Sequence, residues 1–305
     1  MSQLYLERFR LPTQDLEDSF FFAQKRACYH GTYPFRLFPE KGLRTVKFAP
    51  ITIFYGSNGS GKTTLLNLIA QKARLIRHSA FNGSAFFPAY LKLCALSGPG
   101  APPGSQILTS DDVFDYVLDL RALNDGIDRR REDLFREYLD RRGRSLQLHS
   151  MDDYEEFKAN HEAQRKTESE FVRERLMRNV DLFSNGESAM RYFVEHITEN
   201  ALYLLDEPEN SLSVSKQQEL AKYLYDSARY FGCQFIISTH SPVILSIEDA
   251  MVYDLDARPV KARPWTALEN VRQYFAFFEA HREEFLQPKK TPSRKKTEKV
   301  QEELE

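Results

Sequence analysis

Cysteine is scarce. Cys28, Cys94 and Cys233 are the only three in 305 residues, odd in number and far apart, which suits reduced thiols filling a core better than a disulfide frame or a zinc site. Long apolar runs are missing too. Nothing approaches the roughly eighteen to twenty residues that span a bilayer, and the first ten residues, MSQLYLERFR, lack the apolar stretch of a signal peptide. A cytoplasmic protein is expected. Neither sign of charge prevails, with 42 Lys and Arg against 44 Asp and Glu, so net electrostatics give no reason for a nucleic-acid or membrane partner and leave only a local basic surface open. What the chain does have is a hydrophobic fraction of 42%, enough for a proper core in one large domain or two small ones.

The most informative stretch is Ile51 to Thr64, ITIFYGSNGSGKTT. Ile51, Ile53, Phe54 and Tyr55 read as a buried strand, and Leu65, Leu66, Leu68 and Ile69 as the apolar side of a following helix. Between them Gly56, Ser57, Asn58, Gly59, Ser60, Gly61, Lys62, Thr63 and Thr64 fit the phosphate-binding pattern G-x-x-x-x-G-K-T. Gly56, Gly59 and Gly61 are expected at positive φ, turning successive N–H groups toward a polyphosphate. Lys62 can reach the β and γ oxygens, the Thr63 hydroxyl can ligate Mg²⁺, and the helix N-terminus adds free N–H groups and its dipole.

Before this loop, LYLERFRL, YPFRLF and RTVKF read as short strands of a partly antiparallel layer, with Val46 and Phe48 facing inward. Tyr33 and Phe35 are candidates for stacking on a base. After the loop, SGPGAPPGS reads as an exposed linker: no lysine follows its glycines and its prolines remove amide donors. Ser110 or Asp111 can cap a helix carrying Val113, Val117 and Leu120. Residues 128–178 hold 13 basic and 13 acidic residues, which cancel; this reads as a solvated helical insertion without sustained heptads, so a long coiled coil is not expected. Its clusters Arg129–Arg131 and Arg141–Arg144 read as salt-bridged helix surface, with contact to nucleic acid or an acidic protein as the alternative.

Order returns with FSNGESAMRYF, a polar turn leading into a helix. The apolar runs ALYLLDEPEN and QFIISTHSP, alternating with a helix over Lys216 to Tyr230, indicate central parallel strands covered on both faces. MVYDLD is a last strand. A helix opened by a Thr266–Glu269 capping box follows, with Leu268, Val271, Phe275 and Phe278 on one face, and then a charged, disordered tail over 288–305. Asp206 and Glu207 stand at the C-terminal edge of a buried strand, where open α/β sheets bind ligands. The first suits a Mg²⁺ shell and the second can orient an attacking water.

These motifs, in this order, resemble the ATP-binding-cassette ATPase superfamily over roughly residues 1 to 255. Gly56 to Thr63 resembles its Walker A loop, Leu202 to Glu207 its Walker B strand, His240 in STHSP its switch histidine, and Ser184, Asn185, Gly186, Glu187 and Ser188 its signature motif, 22 residues before Asp206. The resemblance implies an α/β P-loop fold with a mostly parallel sheet, an N-terminal antiparallel layer and a helical lobe at about 106–200, within a single domain over 1–287. It implies ATP and Mg²⁺ as cofactors, with Gln106, or else Ser110 or Asp111, as the Mg²⁺-sensing residue. It also implies a head-to-tail dimer in which the SNGES turn of one copy meets the ATP of the other. The acid at Glu187 is similar to the chromosome-maintenance and DNA-repair branches rather than to transporters, and Ser213 stands where the family has an aspartate. Small stand-alone relatives, some in anti-phage defence operons, are expected to control a separate effector protein. A nucleotide-gated DNA-binding module and a transporter's ATP-binding subunit are the alternatives.

Overall fold

The computed structural model describes residues 4–24, 31–143, 165–176 and 185–286; the expectations for Cys28, Ser184, Arg144 and the tail from Pro288 lie outside them. Contacts divide the chain into two units, Met1–Arg263 and Pro264–Glu305. In the first unit the strands are β1 (Arg8–Arg10), β2 (Thr45–Lys47), β3 (Ile51–Tyr55), β4 (Ala95–Ser97), β5 (Gln106–Thr109), β6 (Leu202–Asp206), β7 (Gln234–Thr239), β8 (Met251–Asp254) and β9 (Lys261–Ala262). Its helices are α1 (Gln14–Ala23), α2 (Lys62–Ala73), α3 (Phe87–Leu93), α4 (Ser110–Gly143), α5 (Glu168–Arg175), α6 (Asn185–His196), α7 (Val214–Tyr230) and α8 (Pro242–Leu245). The second unit holds α9 (Glu269–Ala280) and α10 (Arg282–Leu286).

The larger sheet runs β5-β6-β7-β3-β8-β9, with every neighbouring pair parallel except β8 and β9. All five residues of β3 and all six of β7 are buried. Parallel strands covered on both faces must be apolar throughout, which is why these segments read as continuous runs. Ile53, Phe54, Phe235, Ile236 and Ile237 are fully buried, and each contributes about 1.5–3 kcal/mol by leaving water.

The smaller sheet, β2-β1-β4, is antiparallel. It is fastened to the larger one by the Gln234 side chain, whose Oε1 accepts from the main-chain N–H of Tyr5 and Leu6 at 2.9 Å each. Its Nε2 donates to the carbonyls of Leu6 at 2.8 Å and Ala49 at 3.2 Å.

The expectations for YPFRLF and for the cap of the helix after β5 need correction. YPFRLF is a turn, not a strand: the buried Glu17 carboxylate takes the Arg36 N–H at 2.6 Å, leaving it no sheet partner, while Phe35 and Phe38 enter the core. The third strand of the layer is β4, immediately before the glycine-rich loop. That loop is exposed but anchored, since a side chain at Gly98 would lie 2.5 Å from the Tyr5 carbonyl and Gly100 N–H donates to the same oxygen at 3.0 Å. Helix α4 is capped by Thr109 rather than Ser110 or Asp111. Asp112 accepts from Thr109 N–H at 2.7 Å and its own N–H donates to Thr109 Oγ1 at 3.3 Å, a reciprocal box.

Along α4, Arg136 lies 3.7 Å from Glu132 and from Asp133, and Arg141 lies 2.8 Å from Glu137, with Arg131 beside Asp128. Exposed pairs of this kind contribute about 0–1 kcal/mol each, so the lobe is held by packing. Leu134 and Tyr138 of α4 cluster with Phe171 and Val172 of α5. In the second unit, Thr266 falls inside a 3-10 turn, Trp265–Ala267, and α9 starts without a side-chain cap. Leu268 and Val271 are buried, but Phe275 and Phe278 are exposed, so the expected four-residue face is half realised.

Candidate functional site

Strands β6, β7 and β3 are adjacent and parallel, and their ends align: Asp206 pairs with Ser238, and Thr239 with Tyr55. The three loops that follow therefore leave one edge of the sheet together. This alignment joins Thr63 and Asp206, 143 positions apart in the chain.

The glycine loop after β3 shows why its residue types are required. Gly59 and Gly61 have φ of +81° and +98°, a region that costs other residues about 1–2 kcal/mol. Gly56 does not share it. Its requirement is space, because a Cβ there would contact Ser60 Oγ and sit 2.8 Å from Ser60 Cβ. Asp256, just beyond β8, holds the loop from outside, accepting from Ser57 N–H at 2.7 Å and Ser57 Oγ at 2.9 Å. Lys62 is buried and crosses the loop, its Nζ donating to the carbonyls of Gly56 at 2.8 Å and Ser57 at 3.3 Å.

The loop after β6 meets it. Glu207 Oε1 lies 3.7 Å from Lys62 Nζ, and Thr63 Oγ1 donates to Asp206 Oδ1 at 3.2 Å. Ser238 of β7 donates to the same Asp206 oxygen. Burial raises the Asp206 carboxyl above its ordinary range, against the lowering effect of the Ser238 and Thr63 bonds. Such a carboxylate is stabilised by a cation. A hydroxyl and a carboxylate are hard oxygen donors of the kind Mg²⁺ takes alongside substrate phosphates. Among the described residues no cluster of three His, Cys, Asp or Glu could hold a metal without such help.

The loop after β7 brings His240, half-exposed, with Nδ1 3.8 Å from Glu207 Oε1 and 3.5 Å from Glu209 Oε1. Two adjoining cavities open at this edge. One, of about 460 Å³, is lined by Tyr33, Leu37, Ser60, Lys62, Thr63 and Glu207 among others. The other, of about 590 Å³, shares Tyr33, Thr63 and Thr64 and extends to Arg77, Ser110, Asp111 and Asp206.

Gln106 is not brought to this edge. It pairs with Tyr203 at the start of β5 and its Nε2 donates to the His196 carbonyl at 2.8 Å, whereas Thr109 is the residue paired with Asp206. Three residues of strand put Gln106 about 10 Å from that level. Thr109, Ser110 and Asp111 line the cavity instead. Phe35 is likewise withdrawn, buried against Phe20 with ring centroids 4.8 Å apart. Tyr33 lines both cavities and donates to Thr64 Oγ1 at 2.9 Å.

Asn185, Gly186 and Glu187 form the first turn of α6, beside the loop after β6: a side chain at Gly186 would lie 3.4 Å from the Ser211 carbonyl. Asn185 and Glu187 are exposed, and Arg121 donates to Asn185 at 2.5 Å. Ser213 caps α7 by accepting the Lys216 N–H at 3.4 Å, a local role that accounts for a hydroxyl there. The motif pattern does not single out Arg77, Glu209 or Asp256. For Glu209 the signal is the third acid of DEPE; for Asp256, an acid two residues past the end of the strand beside β3.

Residues 171–245 match the family model of an AAA ATPase domain, a span that includes β6, β7 and His240 but not the glycine loop. No curated protein sequence matches the chain. Among solved structures, the chain is similar to the Smc head domain from Pyrococcus furiosus bound to the C-terminal domain of ScpA, at 14% identity and a TM-score of 0.38 over 78% of this chain and 95% of that one. The SMC head domain from Thermotoga maritima is similar at 13% and 0.37, covering 86% and 99%. The cbiO1 subunit of an ABC transporter complex from Clostridium perfringens is similar at 16% and 0.32, covering 79% and 85%.

Proposed function

We propose that this chain is a Mg²⁺-dependent ATPase in which ATP joins two copies head to tail, and that the dimer regulates a partner protein. The observation that carries the ATPase reading is the convergence of Lys62 with Glu207 and of Thr63 with Asp206 where β3, β7 and β6 end. The residues present fit the cofactors. Ser60 Oγ is buried in the loop without a hydrogen-bond partner, as suits a donor awaiting a phosphate oxygen, and Gly56 leaves the loop room to fold closely.

In this reading the loop N–H groups and Lys62 hold the β and γ phosphates. Thr63 and Asp206 would hold Mg²⁺, which when bound would neutralise charge on the phosphate oxygens. Glu207 orients the water that attacks the γ-phosphorus as the bond to ADP breaks, accepting or relaying the water's proton, and His240 meets the γ-phosphate side. Positioning and electrostatics supply most of the rate. The first turn of α6, with Asn185 and Glu187 exposed, is the surface offered to the phosphates of a second copy. Loss of the γ-phosphate then releases the copies.

DNA binding by Arg129–Arg131 is the weaker reading, because Arg131 is already paired with Asp128. Calorimetry and light scattering test the main one. Lys62→Ala should abolish ATP binding, and Glu207→Gln should bind ATP and accumulate as a dimer. A variant at Glu207 that stays monomeric at saturating ATP rejects the head-to-tail dimer, and unchanged binding by the Lys62 variant rejects the cradle.

A further inference from the structure

Glu209 stands apart from the motif residues around it. It is 6% exposed, on the loop after β6, yet its contacts go across to the end of β7. Oε1 accepts from Thr239 Oγ1 at 2.6 Å and from the His240 N–H at 3.0 Å, and lies 3.5 Å from His240 Nδ1. Oε2 is buried without a hydrogen-bond partner. A carboxylate withdrawn from water with one oxygen unsatisfied is costly, and an amide or hydroxyl would serve a purely structural tie at lower cost. What a carboxylate adds is charge directed at the imidazole.

The rest of the segment is fixed as well. Ser241 N–H donates to Thr239 Oγ1 at 3.0 Å, Ser241 Oγ donates to Gln217 Oε1 at 2.7 Å, and Gln217 Nε2 donates to the Leu212 carbonyl at 3.0 Å. Residues 239–241 are thus tied to α7 and to both ends of the loop after β6. Only the His240 ring stands half in solvent, with Nδ1 turned to Glu209 and Glu207.

We propose that Glu209 is the positioning residue for His240: it fixes the main chain at Thr239 and His240 and holds the ring with Nδ1 inward as donor, leaving Nε2 to meet the reacting phosphate or its attacking water. This rests on the hydrolytic reading of the site, in which His240 meets the γ-phosphate. Glu209 itself touches no substrate.

Two variants separate its contributions. Glu209→Gln keeps an acceptor oxygen for Thr239 and His240 N–H but removes the charge facing Nδ1; Glu209→Ala removes both. For Glu209→Ala the expected change is a kcat about a hundredfold lower with KM for ATP within about threefold, and for Glu209→Gln an intermediate loss. The double variant Glu209→Ala/His240→Ala should be no slower than His240→Ala alone, since a residue acting through another adds nothing once that one is gone. Independently of turnover, NMR of ¹⁵N-histidine-labelled, nucleotide-free protein at alkaline pH should show the His240 ring, identified by its loss in His240→Ala, with its proton on Nδ1, and Glu209→Gln should move it toward Nε2.

Losses that multiply in the double variant overturn the proposal, as do a KM that rises in step with the kcat loss and a wild-type proton on Nε2. If the wild type does not hydrolyse ATP, the hydrolytic reading falls by itself, and the tautomer decides the positioning of His240.

Discussion

Replacing Gln234 by leucine tests how the two sheets are joined. The amide is fully buried and makes four hydrogen bonds to main-chain groups of another sheet or its margin, at 2.8 to 3.2 Å. Leucine is close in volume, so the packing survives and the polar accounting does not. The Ala49 carbonyl keeps a weak bond from Thr52 Oγ1 at 3.5 Å, which leaves the N–H groups of Tyr5 and Leu6 and the Leu6 carbonyl as the orphans. At about 1–3 kcal/mol for each of these three groups, offset by about 1–2 kcal/mol from the added apolar burial, the net loss is about 1–8 kcal/mol, centred near 4–5 kcal/mol. That is a large share of the roughly 5–15 kcal/mol that stabilises a typical domain. Urea unfolding followed by circular dichroism should show the midpoint falling by about 1 M or more, with ATP recovering part of the loss. An unchanged midpoint would refute the reasoning, because it would mean that main-chain groups in this seam find other partners without cost.

Three more outcomes follow from the same geometry. Gly56→Ala should weaken ATP binding more than Gly59→Ala, since a Cβ at Gly56 meets Ser60 while one at Gly59 meets nothing and costs only the strain of φ +81°; calorimetry ranks the two. Glu17 is a buried carboxylate raised from 4.5 by burial first, with Arg36 N–H the main opposing bond. The folded state therefore binds its proton more tightly than the unfolded state, so the contribution of Glu17 to stability is greatest below the unfolded pKa and falls as pH rises through the folded one. Glu17→Gln should raise the melting temperature at pH 7 and lose that advantage near pH 4. The Cys94 thiol is pushed up to about 12, chiefly by burial. Peptide-resolved mass spectrometry should find it unalkylated at pH 8 in the native protein and alkylated in denaturant.

The local features were legible because their causes are local. Continuous apolar runs marked β3, β6 and β7, and the positive φ of Gly59 and Gly61 is a property of single residues. Lys62, Thr63, Asp206, Glu207 and His240 could be named from their places at the ends of those runs. Gln106 could not be placed that way. Which end of a four-residue strand faces the site depends on register with β6, and register is decided by a partner nearly a hundred residues away. The same holds for the YPFRLF turn, where one buried carboxylate from α1 overrode strand propensity.

By itself, then, the sequence determined the elements and the residue types that phosphate chemistry needs, since periodicity, glycine freedom and charge act over a few residues. Only the tertiary structure decided which side chains share the site. Hydrogen-bond pairing of β6 with β7, of β3 with β8 and of β5 with β6 sets, in turn, Glu209 against His240, Asp256 against Ser57 and Thr109 beside Asp206. Those neighbours follow from strand order, which the run of residues along one strand does not encode.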